Sequence, residues 1–351
     1  MALFGKQRLG IDLGTANTII YIENKGIALR EPSIIAINSE TKEVVAYGKE
    51  AAALVGRTSD KYETIHPIQD GVIADFSLTK QLLAFFIKKA LHRSLSKPEV
   101  VISVPSNISK VERRAVVDAL KDLGIGRAMI IDESFSAAVG ANLPIYEPRG
   151  HLLVDIGAGT TNIALISYGE VVKSLTSRAA GNAMNQAIKE LVRTHYHLVI
   201  GDQAAEDLKL SIGNAAYADY DKEDTLVVKG RNSGTGLPDS KEVTAAVVAQ
   251  GLDEVIRQIA TGIRQVLEVT PPELAADISE NGIVLTGGAA LLKRLPERLH
   301  DSVGVPVHLS QQPIDAVAIG AGKMLKTMTD QAKEKERNAR SAEKEIYLNV
   351  K

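Results

Sequence analysis

The chain has 351 residues, 45% of them hydrophobic, which is enough for large buried cores and two domains. A formal net charge of -2 leaves no electrostatic footprint for nucleic acid, and the absence of Cys excludes disulfides and thiolate metal sites. No apolar run approaches the ~20 residues of a membrane span, and the opening Met1-Ala2-Leu3-Phe4-Gly5-Lys6 reads as too short for the apolar region of a signal peptide.

The first predicted element is a β-hairpin. Ile11-Asp12-Leu13-Gly14-Thr15-Ala16-Asn17-Thr18 has an apolar lead-in, an Asp, a turn with Gly and a hydroxyl, and a second apolar run. Residues 100–105 read as a buried strand, and 111–123 have helical periodicity with Gly124 as the stop. A short strand over 128–131 leads to Asp132-Glu133-Ser134. Then the opening pattern returns as Val154-Asp155-Ile156-Gly157-Ala158-Gly159-Thr160-Thr161-Asn162-Ile163. Glu206 and Lys209 share one helical face at i,i+3 spacing. Residues 215–240 are polar and turn-rich, with one strand-like run over 225–229, and suggest a small subdomain.

A long helix or helix pair is expected over 244–269, interrupted at Gly251 and Gly262 and ended by Pro271-Pro272. A strand over 282–285 runs into Thr286-Gly287-Gly288-Ala289-Ala290-Leu291-Leu292, giving strand, Gly pair and helix. The stretch 329–344 is densely charged, with Glu336, Arg340 and Lys344 at i,i+4 spacing, and reads as a frayed terminus. Strands alternating with helices argue for α/β layering.

The repeated hairpin carries the chemistry. Gly lets a backbone come close to a ligand and take positive φ, and the free N–H groups of such a turn form a nest for phosphate oxygens. An Asp fixed at the strand end can hold a cation directly or through water. Two copies imply two similar domains that clamp one polyphosphate, and the third turn, at Gly287-Gly288, lets a backbone approach a flat base.

Together the three turns resemble the phosphate 1, phosphate 2 and adenosine motifs of the actin, sugar-kinase and heat-shock-chaperone ATPase superfamily. Within it, Asp12-Leu13-Gly14-Thr15-Ala16-Asn17-Thr18, Arg30-Glu31-Pro32-Ser33, Asp70-Gly71-Val72-Ile73-Ala74-Asp75, Lys209 with Ile212-Gly213, Thr235-Gly236-Leu237-Pro238 and Pro271-Pro272-Glu273-Leu274 are similar to the bacterial actin MreB family over about residues 9–325. The resemblance implies an actin-like, ribonuclease-H-like duplicated α/β fold with a nucleotide cleft. The first half would have a large subdomain of 1–32, 66–144 and 321–345 and a small one of 33–65. The second would have a large subdomain of 145–180 and 244–320 and a small one of 181–243, leaving 346–351 as a tail.

It further implies ATP or ADP with Mg²⁺ in the cleft. Asp12 and Asp155 would hold the ion through its waters. Gly14, Thr15, Ala16 and Asn17 would face the phosphates from one side, and Gly157, Ala158, Gly159 and Thr160 from the other. Glu133 would polarise the attacking water with help from Thr160. Gly181, Glu206, Lys209, Gly287, Gly288, Ala289 and Ala290 would form the nucleoside side.

The implied function is a slow, cytoplasmic ATPase forming double antiparallel filaments, peripheral on the inner face of the cell membrane through Leu3, Phe4 and Leu95. There it would work with cell-wall elongation membrane proteins to maintain rod shape. The rival readings are a nucleotide-binding scaffold with impaired hydrolysis and a sugar kinase. The chain departs from the family pattern where Ser134 replaces a Pro and Ala289 a Gly. It departs again where Gly181-Asn182-Ala183-Met184-Asn185-Gln186-Ala187 and Asn162 have lost acids.

Overall fold

The computed structural model describes residues 7–57, 60–91, 97–105, 108–218 and 224–327. The expected anchors Leu3, Phe4 and Leu95, and the charged stretch 329–344, lie outside the described residues.

Two five-stranded sheets organise the chain. In the first, Arg8–Leu13, Asn17–Ile22 and Gly26–Pro32 form an antiparallel meander, and Glu99–Val104 and Arg127–Asp132 extend it in parallel beyond Arg8–Leu13. In the second, His151–Ile156, Thr161–Ser167 and Glu170–Ser177 repeat the meander, and Ile283–Thr286 and Val307–Leu309 repeat the parallel side. Strand order and direction are the same in both, so the duplication expected from the motifs extends to whole sheets. Register places Asp12 between Ile19 and Ser103, and Asp155 between Asn162 and Thr286.

The central strands read as near-continuous β-branched runs because helices cover them. Leu9, Ile11, Ile20 and Ile102 pack with Leu82, Phe86 and Leu120 in one core, and Val154, Ile163 and Leu285 pack with Leu252, Ile256 and Ile259 in the other. Two smaller sheets flank them. One joins Val44–Tyr47, Ile35–Asn38 and Tyr62–Ile65, and the other joins Leu198–Val199, Thr225–Asn232 and Pro238–Thr244.

Several elements differ from expectation. The helix Ala245–Glu268 runs unbroken through Gly251 and Gly262. Those glycines are contact points: an added Cβ at Gly262 would lie 2.9 Å from Ile163 Cδ1. The Gly287-Gly288 turn leads into a 3₁₀ turn, Gly288–Leu291, before the α-helix Leu295–Val303 begins. Glu133, expected at a strand end, opens the helix Glu133–Gly140. The helix Lys110–Asp122 does match expectation, with a Ser109/Glu112 capping box and Gly124 at φ 74° just past its end.

The helix Glu133–Gly140 lies against the helical residues 316–327 with almost no side chain between them. An added Cβ at Gly140 would fall 1.8 Å from Ala316 O, and one at Gly320 would fall 1.8 Å from Ser136 O. Ser136 Oγ donates to Val317 O at 2.8 Å across the same contact. Gly320→Ala gains about 1 kcal/mol of helix propensity but drives a methyl into backbone, where overpacking costs about 1–3 kcal/mol or more. It should therefore destabilise the protein in urea titration. Gly251→Ala, whose Cβ would meet Ala187 O at an ordinary 3.5 Å, should be neutral or stabilising in the same assay.

Candidate functional site

The two hairpin turns are braced from different directions. Ser33 Oγ donates to Gly14 O at 2.7 Å and lies 2.9 Å from Thr18 Oγ1, while Ser33 N donates to Ala16 O at 2.8 Å. The segment after Gly26–Pro32 thus fixes the first turn. In the second, Gly157 N donates to Thr160 O at 2.9 Å. Gly181 N and Asn182 N, at the start of the helix Gly181–Tyr196, donate to Gly157 O and Ala158 O. Gly14, Gly157 and Gly159 do not take positive φ, contrary to expectation. They are needed for close approach: an added Cβ at Gly14 would sit 2.8 Å from Asn17 O, and one at Gly159 2.8 Å from Asp70 Cα.

The turns meet across the cleft through a third, Asp70-Gly71, whose role the sequence did not reveal. Gly71 N donates to Thr15 Oγ1 at 3.1 Å. An added Cβ at Gly71 would lie 2.9 Å from Thr160 Cγ2, and one at Gly159 2.9 Å from Thr15 Oγ1. Arg178 Nε approaches Asp70 Oδ2 at 3.8 Å. Thr15, Gly159 and Thr160 therefore converge, as the repeated motif requires.

Asp12 and Asp155 are buried, 8% and 4% exposed. Burial pushes the Asp12 carboxyl up to about 8, with Asp155 and Asp315 adding to the rise and a Ser103 hydrogen bond opposing it. Burial likewise pushes Asp155 up to about 7. Glu133 is raised well above the ordinary range by burial first, then by Asp155, Asp12 and Asp132. Three acids that oppose one another's ionisation mark a place built for positive charge. Among the described residues no three His, Asp or Glu side chains converge tightly enough to ligate a metal directly. Asp12 and Asp155 are the two carboxylates that the two sheets bring to equivalent positions. Asp315, whose two carboxylate oxygens both accept from Arg30 Nη2 at 2.6 and 2.7 Å, is a member of this field that sequence reasoning missed.

The position of Glu133 is set by its helix. Asp132 caps that helix by accepting from Phe135 N at 3.1 Å. Asn162 Nδ2 donates to Glu133 Oε2 at 3.3 Å, and Thr176 Oγ1 donates to Asn162 Oδ1 at 2.8 Å. Ser134 is buried in the first turn.

The residues expected on the nucleoside side come from several elements. On the helix Asp202–Ile212, Lys209 is buried rather than a surface ion-pair partner. Its Nζ lies 2.8 Å from Glu206 Oε2 and 3.4 Å from Gly181 O. Asn185 Nδ2 donates to the same Glu206 oxygen at 2.7 Å. Gly287, at φ 87°, brings the third turn against the second: an added Cβ would lie 2.6 Å from Asp155 Oδ1. At Gly288 an added Cβ would meet nothing within 4 Å, so its backbone borders open space. The methyls of Ala289 and Ala290 lie in the core.

Residues 6–333 match the MreB/Mbl protein family. The chain belongs to the MreB/Mbl family. It is 41% identical to the cell shape-determining protein Mbl of Bacillus subtilis over 93% of this chain and 98% of that one. It is also 41% identical to the cell shape-determining protein MreB of Escherichia coli K12, over 90% and 92%. Among solved structures, ADP-bound MreB5 of Spiroplasma citri superposes with a TM-score of 0.89 at 32% identity, covering 93% of this chain and 98% of its own. The fold is therefore actin-like, and the protein is a bacterial actin-like cytoskeletal protein of the MreB/Mbl cell-shape family.

The buried acids give this MreB/Mbl chain a pH signature. Without a bound cation, the folded state retains protons on Asp12 and Asp155 that ordinary carboxylates of the unfolded chain have released. Stability should fall as pH rises from about 4 to about 8 and level off above that. Asp155→Asn should flatten the slope in urea unfolding followed across that range, and an unchanged slope would remove the pair as its source.

Proposed function

We propose that this chain binds Mg²⁺ with ATP or ADP in the cleft between its two duplicated halves, hydrolyses ATP slowly and couples that cycle to filament assembly. The observation that carries this reading is the pairing of Asp12 and Asp155 at equivalent positions of the two sheets, with Glu133 in the field of both. It is supported by the Spiroplasma MreB5 structures, which hold ADP in one case and AMPPNP in the other.

In this reading the backbones of Gly14, Thr15, Ala16 and Asn17 face the phosphates from the first half. Those of Gly157, Ala158, Gly159 and Thr160 face them from the second. Asp12 and Asp155 hold the waters of Mg²⁺, whose charge would offset that of the phosphates. Glu133 accepts a hydrogen bond from the attacking water, and Thr160 helps orient it. Gly181, Glu206, Lys209, Gly287, Gly288, Ala289 and Ala290 border the nucleoside. The four subdomains follow the boundaries set out above, each built around one of the four larger sheets.

Glu133→Ala should leave ATP affinity nearly unchanged and lower phosphate release by about 10²-fold or more. Asp12→Ala should instead weaken Mg²⁺-dependent ATP binding. A wild-type rate no faster than that of Glu133→Ala would assign the chain to a nucleotide-binding scaffold. Turnover that requires an added sugar would assign it to a kinase.

Subunits stacking head to tail give open filaments, and a double antiparallel arrangement presents every anchor to one bilayer on the cytoplasmic side. Leu3, Phe4 and Leu95 each contribute about 1.5–3 kcal/mol when fully buried, which is weak for a monomer and sufficient for a polymer. Among the described residues no helix is long and apolar enough to cross a membrane, so attachment would be peripheral. Leu3→Ser with Phe4→Ser should release filaments from anionic liposomes in cosedimentation while polymer yield is kept. Equal lipid binding by the double variant would sink the N-terminal anchor.

A further inference from the structure

Asn162 lies on Thr161–Ser167 in the second sheet, opposite Asp155 on one side and Thr176 on the other, and is 3% exposed. Its two ends have different partners. Thr176 Oγ1 donates to Oδ1 at 2.8 Å, and Nδ2 donates to Glu133 Oε2 at 3.3 Å. The amide nitrogen faces the carboxylate and the amide oxygen faces the hydroxyl, and this donor end is the one an ionised Glu133 requires. Glu133 is anchored at its backbone by the Asp132 cap and by the close helix contact at Gly140 and Gly320, so the remaining freedom is the swing of its flexible side chain. The Asn162 bond restrains that swing from the opposite half of the molecule. It engages Oε2, and among the described residues Oε1 has no hydrogen-bond partner, which leaves that oxygen for a water.

We propose that Asn162 is a positioning residue for Glu133, oriented by Thr176, and that the Thr176–Asn162–Glu133 line ties the aim of the carboxylate to the seating of one half against the other. This rests on the reading that Glu133 polarises the attacking water.

The test is ATP turnover with kcat and KM separated. Asn162→Ala should lower kcat about tenfold, the scale of one hydrogen bond to a charged group, with KM for ATP unchanged within about twofold. Thr176→Val, on an exposed strand position, should lower kcat by a smaller factor, and Thr176→Ser, which keeps the donor, should restore it. In a Glu133→Ala background Asn162→Ala should cause no further loss.

The proposal is overturned if Asn162→Ala turns over normally, if it raises KM without changing kcat, or if it slows the Glu133→Ala protein by the same factor as wild type. Should Asn162→Ala fail to fold, wild-type kcat in Thr176→Val overturns it instead. Full turnover by Glu133→Ala itself would overturn the reading of Glu133 and the proposal with it. A slow Glu133→Ala beside a normal Asn162→Ala would overturn the proposal alone.

Discussion

Two carboxylates buried at the inner ends of two sheets, with a third close by, oppose one another's charge. Much of the cleft answers that repulsion. Burial raises all three acids, and neighbouring carboxylates add to the rise at Asp12 and Glu133, so a positive partner would favour the ionised cluster. The same demand explains why the turns around Asp12 and Asp155 are made of small residues whose backbone N–H groups are the polar groups on offer. A side chain at Gly14, Gly159 or Gly287 would collide with backbone before it reached a ligand. The cleft is thus set by proximity, with little room for relaxation.

Neutral amides meet carboxylates at two points. Asn162 meets Glu133, and Asn185 meets Glu206, each with its donor end toward the carboxylate. The sequence showed only that acids are lost at these positions relative to the family pattern. The geometry gives them a local use, since an acid in either place would face another acid at hydrogen-bonding distance.

The hairpins were legible because their signal is local: an Asp, a small-residue turn and two β-branched runs within a few residues. The helix Lys110–Asp122 was legible for the same reason, with cap and stop both in sequence. The misses follow from non-local causes. Gly251 and Gly262 look like breaks in isolation, yet each is a contact with an element far away in the chain. Pro238–Thr244 was absent from the reading because its residues are polar and half-exposed, and it is held by pairing with Thr225–Asn232 rather than by an apolar stripe. Spacing could not place Asp70-Gly71 near Thr15 and Thr160, or Asp315 near Asp12, because both arrive from turns that only the fold brings in. The burial of Lys209 could not be read from its spacing to Glu206, because burial of a charge leaves no mark in a helical repeat.

The shared strand order also governs how such a chain must fold. Each meander closes through tight turns, so its pairing costs little chain entropy and forms early. The parallel strand beside Asp155 arrives only after the whole of the smaller sheet and the helix Ala245–Glu268 have been made, and Thr286 must then find its register against a waiting edge. Until it does, His151–Ile156 presents an open, strongly apolar flank. The second half is therefore the slow and aggregation-exposed partner during synthesis.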